Sequence, residues 1–135
     1  MTGLVFDANA TLALILDEQP DAAKATQYAA EYALVAPWLW RLEVTNTLVV
    51  KERRKLLTSE IVSAHLRRID AFPIELVPPE ATLRAVNLGE LARPHQLTAH
   101  DAVYLDLAIR RSLPLCTFDR NLRLAAERAG VTVVG

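Results

Sequence analysis

The sequence predicts an α/β domain built on a doubly wound, five-stranded parallel sheet with helices on both faces. Five short apolar, β-prone runs alternate with longer helical segments along the 135 residues. This alternation is typical of parallel strands joined by helical crossovers. The chain also has the usual length of one domain and contains no repeat, low-complexity tract or linker. We therefore expect residues 1–135 to form a single domain.

The first part of the chain supplies three of the predicted strands. Each is a short run rich in Leu, Val or Ile, and the segments between them have the composition of helices. Pro20 and Pro37 suit the first turns of two helices, and Thr58 suits the N-cap of a third. The predicted elements are strand Leu4–Phe6, helix Ala8–Asp17, helix Pro20–Tyr32, strand Leu34–Ala36, helix Trp38–Leu57, helix Thr58–Phe72 and strand Ile74–Val77.

The rest of the chain supplies two more strands and helices with clear stop signals. The triplet Arg93-Pro94-His95 interrupts one helix, and Gly130 follows the last one. The predicted elements are helix Glu80–Ala92, helix Thr98–Ser112, strand Leu115–Phe118, helix Arg120–Ala129 and strand Val131–Val134.

Composition excludes several classes of protein. Hydrophobic residues make up 52% of the chain and the mean hydropathy is +0.17, which excludes a disordered protein and leaves an apolar surplus for an interface. Cys116 is the only cysteine, so an intramolecular disulfide and a thiolate zinc site are excluded. The longest apolar run, Ala33–Trp40, is far shorter than the roughly 20 residues of a membrane span. With no signal-type start either, we expect a cytoplasmic protein without membrane association.

The charge balance gives little indication of a nucleic-acid partner. A net charge of −1 provides no overall attraction to RNA or DNA. Basic residues cluster only locally, in the segment 51–55, at Arg67-Arg68 and at Arg110-Arg111. Such clusters are most often solvated helix ends, so a case for RNA binding has to come from elsewhere.

Two predicted strands end in the same way, in an aspartate. Leu4–Phe6 runs into Asp7, and Leu115–Phe118 runs into Asp119. Ligands of open parallel sheets bind outside the carboxyl ends of the strands, so both carboxylates are expected at that edge. Each also fits the N-cap of the following helix, and that alternative remains open for each residue alone.

Two further acids lie near the starts of helices that follow loops. Asp101 comes three residues after Thr98, a spacing that also matches a helix cap. Glu43 stands between Leu42 and Val44 in an almost wholly apolar segment, where a surface salt bridge is harder to arrange. If all four acids converge, they need a cation, because carboxylates that close cannot all stay ionised. A hard ion such as Mg²⁺ or Mn²⁺ suits oxygen ligands.

Four stretches, in order along the chain, resemble the conserved motifs of PIN domains. They are Leu4-Val5-Phe6-Asp7-Ala8-Asn9, Leu42-Glu43-Val44-Thr45-Asn46-Thr47-Leu48, Asp101-Ala102-Val103-Tyr104-Leu105, and Thr117-Phe118-Asp119 followed by Leu122. No single motif is specific, but four in register, each on an independently predicted element, are strong evidence. The short length further resembles VapC toxins of VapBC toxin–antitoxin pairs. The resemblance implies a PIN-like fold and a magnesium-dependent endoribonuclease, with Mn²⁺ able to substitute for Mg²⁺.

The resemblance also implies roles for individual residues. Asp7, Glu43, Asp101 and Asp119 would form the acidic catalytic site, with Asp7 and Asp101 as the metal ligands. Supporting positions would be Asn9, Asn46 and Thr117, although the family more often has Ser or Thr where Asn9 stands. Contacts to RNA phosphates would come from Arg53, Arg54, Arg110 and Arg111.

Partners follow from the same resemblance. An RNA substrate, a VapB-type antitoxin and a second copy of the chain are the partners it implies. Three alternatives stay open: a PIN nuclease of RNA maturation or decay, a non-catalytic module, and a phospho-acceptor receiver domain. A receiver usually has paired acids after its first strand and a lysine where Asp119 stands, so this sequence fits that class poorly.

Overall fold

A central, all-parallel sheet of five strands organises the protein in a computed structural model that describes residues 1–135. The elements, in chain order, are β1 (Gly3–Phe6), α1 (Ala8–Ile15), α2 (Asp21–Glu31), β2 (Ala33–Pro37), α3 (Leu39–Arg53), α4 (Ser59–Asp70), β3 (Ile74–Val77), α5 (Ala85–Ala92), a 3₁₀ turn (Arg93–His95), α6 (Ala99–Arg111), β4 (Leu115–Cys116), α7 (Arg120–Arg128) and β5 (Val133–Val134). The predicted fold class is confirmed.

The strand order β3-β2-β1-β4-β5 places β1 at the centre of the sheet. Its neighbours run parallel to it, with Val5 paired to Val35 of β2 and to Leu115 of β4. The strand order reverses at β1, so the carboxyl ends of β1 and β4 form the switch point where doubly wound sheets bind ligands. Receiver domains have the order 2-1-3-4-5 instead. The receiver alternative is therefore wrong.

Alternation of side chains along the central strands builds two apolar layers. Val5, Val35 and Leu115 belong to the larger core cluster, on one face of the sheet. Leu4 and Phe6, which point the other way, belong to a smaller cluster on the opposite face. Both faces of the central strands are therefore covered, which explains why these strands are apolar throughout rather than alternating with polar residues.

Most predicted helix starts are confirmed by their caps. The Thr58 and Thr98 hydroxyls accept hydrogen bonds from the backbone N–H groups of Ile61 and Asp101, at 3.3 and 3.1 Å. At the other end of α6, Ser112 adopts a left-handed conformation and ends the helix. Gly130 does the same just after α7, at a φ of 78° that favours glycine.

Helix α3 ends earlier than predicted. The prediction carried it to Leu57, but it stops at Arg53 because Lys55 takes a left-handed φ of 60°. The Leu56 N–H then donates back to the Lys51 carbonyl at 2.8 Å. This turn brings Leu57 against the larger core cluster. A lysine in a position that usually holds Gly or Asn gave no stop signal in the sequence.

Helix α5 begins later than predicted, and β4 and β5 are shorter. The predicted start at Glu80 is wrong because residues 80–84 form a turn, and the Asn87 side chain then accepts from the Arg84 N–H at 3.3 Å. Strand β4 pairs only over Leu115–Cys116, since its neighbour β1 ends at Phe6. No helix is long and apolar enough to cross a membrane.

Candidate active site

Asp7 occupies the centre of the carboxyl edge, meaning the side of the sheet where the parallel strands end. It follows β1 directly, is only 4% exposed, and caps α1 by accepting the Ala10 N–H at 2.7 Å. Burial is the main cause that raises the pKa of Asp7 to about 7, and the charges of Asp101 and Glu43 add to it. Hydrogen bonds from the Thr117 side chain and the Ala10 amide oppose this rise. The site therefore contains a carboxyl that titrates near neutrality.

Asp119 lies at the same edge, three residues after the end of the neighbouring strand β4. Its carboxylate caps α7 by accepting the Leu122 N–H at 2.8 Å. The fully buried Thr117 hydroxyl accepts the Asp119 N–H at 3.1 Å and lies near enough to Asp7 to oppose the rise in the pKa of that carboxyl. Thr117 thus links the aspartates that follow the two central strands.

Asp101 approaches the same edge from helix α6. A crossover helix runs antiparallel to its strands, so α6 starts at the carboxyl edge and ends at the opposite one. Asp101 lies in the first turn, and its N–H donates to the Thr98 hydroxyl. Burial and the charge of Asp119 raise the pKa of Asp101. Asp101 therefore lies in a capped first turn, as its spacing from Thr98 predicted, and it also lies close to another of the four acids.

Glu43 comes from the first turns of α3, which follows β2. It is half-buried, with Val44 buried on one side and Leu42 55% exposed on the other. Its Oε1 accepts a 2.8 Å hydrogen bond from the Tyr104 hydroxyl. Burial, with a smaller contribution from Asp101, raises the pKa of Glu43, while the Tyr104 hydrogen bond and His100 oppose the rise. Glu43 thus lies at the margin of the core, not within it.

The four acids share one electrostatic environment although they come from four parts of the chain. The charges of Asp101 and Glu43 act on Asp7, and the charge of Asp119 acts on Asp101. Each interaction opposes ionisation, as expected for carboxylates in one cleft. The arrangement therefore favours a bound cation.

The donor chemistry of the cluster fits a magnesium ion. No group of three or more His, Cys, Asp or Glu side chains is placed to hold an ion between them. Magnesium usually binds through only one or two carboxylates and keeps several waters, so it needs no all-protein cage. Oxygen is the only donor that the four acids offer, and oxygen is the ligand that hard cations prefer. The site supplies enough carboxylates for this, and Asp7, Glu43 and Asp101 all have raised pKa values.

The supporting asparagines lie on the exposed surface of their helices. Asn9 is in the first turn of α1, two residues after Asp7, and Asn46 is three residues after Glu43 in α3. Helical residues three apart share a face, so Asn46 lies on the face that presents Glu43. Neither amide hydrogen-bonds to another protein group, which leaves both free for water or substrate.

The basic residues predicted to bind RNA lie away from the acids. Arg110 is nine residues beyond Asp101 in α6, about 14 Å along the axis at 1.5 Å per residue. It pairs with Asp106 at 2.6 Å and Glu80 at 3.4 Å, and Arg111 pairs with Glu75 at 3.1 Å. The remaining two, Arg53 and Arg54, are exposed at the far end of α3. The structure thus does not bring these side chains to the cleft.

Three features of the site were missed in the sequence. Tyr104 was part of a motif, but its bond to Glu43 spans 61 residues and leaves no local signal. The Trp40 indole N–H donates to the Thr11 hydroxyl at 2.8 Å, and that hydroxyl donates to the Asp7 carbonyl at 3.0 Å. The third is His100, the residue before Asp101. It lies near enough to Glu43 and Asp101 to lower the pKa of both.

The four acids do not line any of the main clefts of the protein. The largest cleft, about 500 Å³, is at the opposite edge of the sheet and includes Thr2, Pro114 and Thr132, which precede strands. None of the four acids lines it.

Carboxylates gathered at the switch point of a five-stranded parallel sheet define an α/β protein with an acidic site. The sequence matches the PIN domain over residues 4–128. The chain belongs to the PIN-domain family, whose members are nucleases that generally use a divalent metal ion.

Solved structures share the fold. The chain is similar to PAE2754 from Pyrobaculum aerophilum, with a TM-score of 0.71 and 23% identity over 98% of this chain and 84% of that one. It is similar to a chain of a toxin–antitoxin complex from Klebsiella pneumoniae (TM-score 0.66, 18% identity, 98% and 96% covered). It is also similar to VapC20 from Mycobacterium tuberculosis, a sarcin-ricin loop cleaving toxin (TM-score 0.67, 15% identity, 90% of this chain and 94% of that one covered). No curated protein sequence matches the chain.

Proposed function

We propose that this protein is a magnesium-dependent endoribonuclease that hydrolyses RNA phosphodiester bonds as the toxin of a type II toxin–antitoxin pair. One observation carries the proposal. Asp7, Glu43, Asp101 and Asp119 meet at the carboxyl edge of the sheet, and the buried Asp7 carboxyl has its pKa raised to about 7. A folded domain that gathers acids at such an electrostatic cost implies a ligand that relieves it.

In this proposal Asp7 and Asp101 hold the ion. When bound, the ion supplies charge neutralisation at the scissile phosphate and lowers the pKa of the attacking water. Manganese would substitute because it accepts the same oxygen ligands.

The remaining acids act on the water itself. Glu43 has its Oε1 engaged by Tyr104, and no protein group donates to its Oε2. That free oxygen is suited to accept a proton or hydrogen bond from the water. Asp119, held by Thr117 and the start of α7, would orient the water or the phosphate from the other side.

The proposed biological context is that of a toxin restrained by an antitoxin. The Klebsiella pneumoniae complex and the Mycobacterium tuberculosis toxin support this context, because both place this fold in toxin systems. A VapB-type antitoxin would inhibit most directly by offering an Arg or Lys to the four carboxylates. We also propose a homodimer, supported by exposed apolar residues on α3, and action in the cytoplasm, where RNA is accessible.

The decisive experiment measures RNA cleavage by the purified chain with Mg²⁺, Mn²⁺ and excess chelator. Asp7→Asn and Asp101→Asn should each abolish cleavage while the protein stays folded, and fresh 5′ ends mapped after controlled expression should identify the cut RNAs. Asp70→Asn, a change at the exposed end of α4, is the matched control and should cleave normally. Full cleavage by folded Asp7→Asn protein, or cleavage that survives chelation, would falsify the proposal. A gene for a small antitoxin directly upstream would separate a toxin from a nuclease of RNA maturation.

A further inference from the structure

Tyr104 has a hydroxyl that the packing of the core does not require. Its ring is 1% exposed and lies in the larger core cluster with Trp40, Val44 and Leu105. A phenylalanine would fill nearly the same volume there. A buried hydroxyl needs a hydrogen-bond partner, so the Tyr104 hydroxyl restricts how the site is arranged and does not improve the packing of the core.

The partner of this hydroxyl is a single carboxylate oxygen. Tyr104 donates to Glu43 Oε1 at 2.8 Å, and no other protein group accepts from this hydroxyl or donates to the Glu43 carboxylate. Glu43 has three rotatable side-chain bonds, and it lies half-buried at the margin of the cleft. This one bond therefore restricts the rotamer of Glu43 and leaves Oε2 without a protein donor.

The bond also fixes the spacing between two acids. Tyr104 and Asp101 are three residues apart in α6 and so lie on one face of that helix. Through its bond to Glu43 of α3, the Tyr104 hydroxyl fixes the position of that carboxylate relative to α6, the helix that carries Asp101. Burial and the Glu43 carboxylate raise the pKa of Tyr104, so the phenol remains a donor throughout the working range of pH.

We propose that Tyr104 is a positioning residue, which orients the Glu43 carboxylate toward the attacking water through its hydroxyl. This role rests on the proposed nuclease function, because it assigns a purpose to Glu43 in that reaction. Tyr104 touches neither substrate nor metal in this assignment and acts only through Glu43.

The test compares Tyr104→Phe with Tyr28→Phe. Tyr28 is half-buried on α2, packs against Tyr32 and has no hydrogen-bond partner for its hydroxyl, so it controls for loss of a phenol. Tyr104→Phe should lower kcat about tenfold, the scale of one hydrogen bond to a charged group, with KM and magnesium affinity within about twofold. In a Glu43→Ala background the same change should lower kcat by less than about twofold, since the group it orients is gone.

A second measurement does not depend on cleavage. The side-chain carboxyl carbon of Glu43, assigned by its loss in Glu43→Gln, should shift in the NMR spectrum of metal-free Tyr104→Phe and not in Tyr28→Phe. If the wild-type chain cleaves no RNA, the proposed function fails, and this spectrum alone decides whether the hydroxyl orients Glu43. An unchanged resonance would overturn the inference. So would a Tyr104→Phe protein that fails to fold, or equal losses of kcat with and without Glu43, because each assigns the hydroxyl to stability.

Discussion

Asp7 shows how strongly position in a sheet controls the chemistry of one side chain. An aspartate at the end of an edge strand would be solvated, but β1 is central and both of its faces are covered. The carboxyl is therefore desolvated, and the helix cap and Thr117 only partly offset that cost. In the proposed function, the same burial that destabilises the Asp7 anion would strengthen its attraction to a bound cation.

The first prediction concerns the stability of metal-free protein against pH. The folded-state pKa of Asp7 is raised to about 7 from an ordinary value of 3.8, so the folded state binds the proton more tightly than the unfolded state. The proton on Asp7 therefore stabilises the folded state, and this stabilisation is complete below about pH 4 and is lost as the pH rises to 7. Asp7→Asn lacks this loss and keeps the cap, so at pH 8 it should be more stable by at most about 4 kcal/mol.

Thermal unfolding of both proteins in excess chelator, from pH 4 to 8, checks this prediction. The two melting temperatures should agree near pH 4 and separate as pH rises. If Asp7→Asn were the less stable protein at pH 8, Asp7 would be stabilised as an anion and the assignment would be wrong.

The second prediction is that Glu43 acts in catalysis and not in stability. Glu43→Gln retains the shape and an oxygen for Tyr104, and it removes a carboxylate whose pKa is raised by burial. Melting temperature should hold or rise slightly, while cleavage falls at least about a hundredfold, the scale of a lost general base. Glu52→Gln, exposed on the same helix, is the control. Normal cleavage per folded molecule together with a large loss of stability would favour a structural role.

At the residue scale, sequence located the four acids but not the contacts that orient them. Asp7 and Asp119 follow strands, and strand ends are visible as changes from apolar to polar residues. Tyr104 and Trp40 bond to residues on other helices, and such pairs depend on how the helices cross. Their side chains also fit a plain apolar pattern, so nothing local separates them from ordinary core aromatics.

At the scale of elements, the helices hold the acids in register through buried polar bonds. Trp40 of α3 donates to Thr11 of α1, which donates to the carbonyl of Asp7. Both side chains are fully buried, so these bonds are shielded from water. These bonds therefore lock α1 to α3 beside Asp7, the residue that caps α1.

The third prediction tests this lock. Thr11→Val keeps the shape but removes the hydroxyl, which leaves the Trp40 indole N–H buried without a partner. The free energy of unfolding should fall by about 2 kcal/mol, within the range for an orphaned buried donor. Thr26→Val removes a hydroxyl that bonds only to the Ala22 carbonyl on an exposed part of α2, and should cost less than about 0.5 kcal/mol. Chemical denaturation measures both, and equal costs would contradict the lock.

Element types were predictable because apolar runs and caps are local, whereas several boundaries were not. Helix α3 stops at a left-handed Lys55, and that conformation serves the packing of Leu57 rather than any preference of lysine. Strand β4 is short because β1 ends beside it, which is a property of the pair. Tertiary contacts thus set the ends of elements that local sequence had begun.

At the scale of the whole molecule, the two edges of the sheet have different characters. Crossover helices begin at the carboxyl edge, so the acids near the starts of α3 and α6 meet the acids that follow β1 and β4. The ion-paired arginines of α6 lie toward the other end. In the proposed function, RNA would be attracted to this edge by a bound cation and by exposed groups such as His100, since these ion-paired arginines lie away from the acids.

The apolar surplus of the sequence has a definite location in the structure. Helix α3 buries Trp40, Val44 and Leu48, on one of its faces, in the core. Trp38, Leu42 and Val49 remain 49%, 55% and 36% exposed on another face. Exposed apolar residues that share a helix face are typical of an interface.

The last prediction is that this face of α3 mediates self-association. Sedimentation of the chain at micromolar concentration should give a dimer, because pairing two copies of the face removes Trp38 and Leu42 from water. Replacing both with serine should give a folded monomer, since neither side chain belongs to the core. Leu124→Ser on α7, where the leucine is 44% exposed, removes a comparable apolar group from another surface and should leave the dimer intact. A wild-type chain that sediments as a monomer, or a dimer that persists in the double variant, would show that the face serves another partner or none.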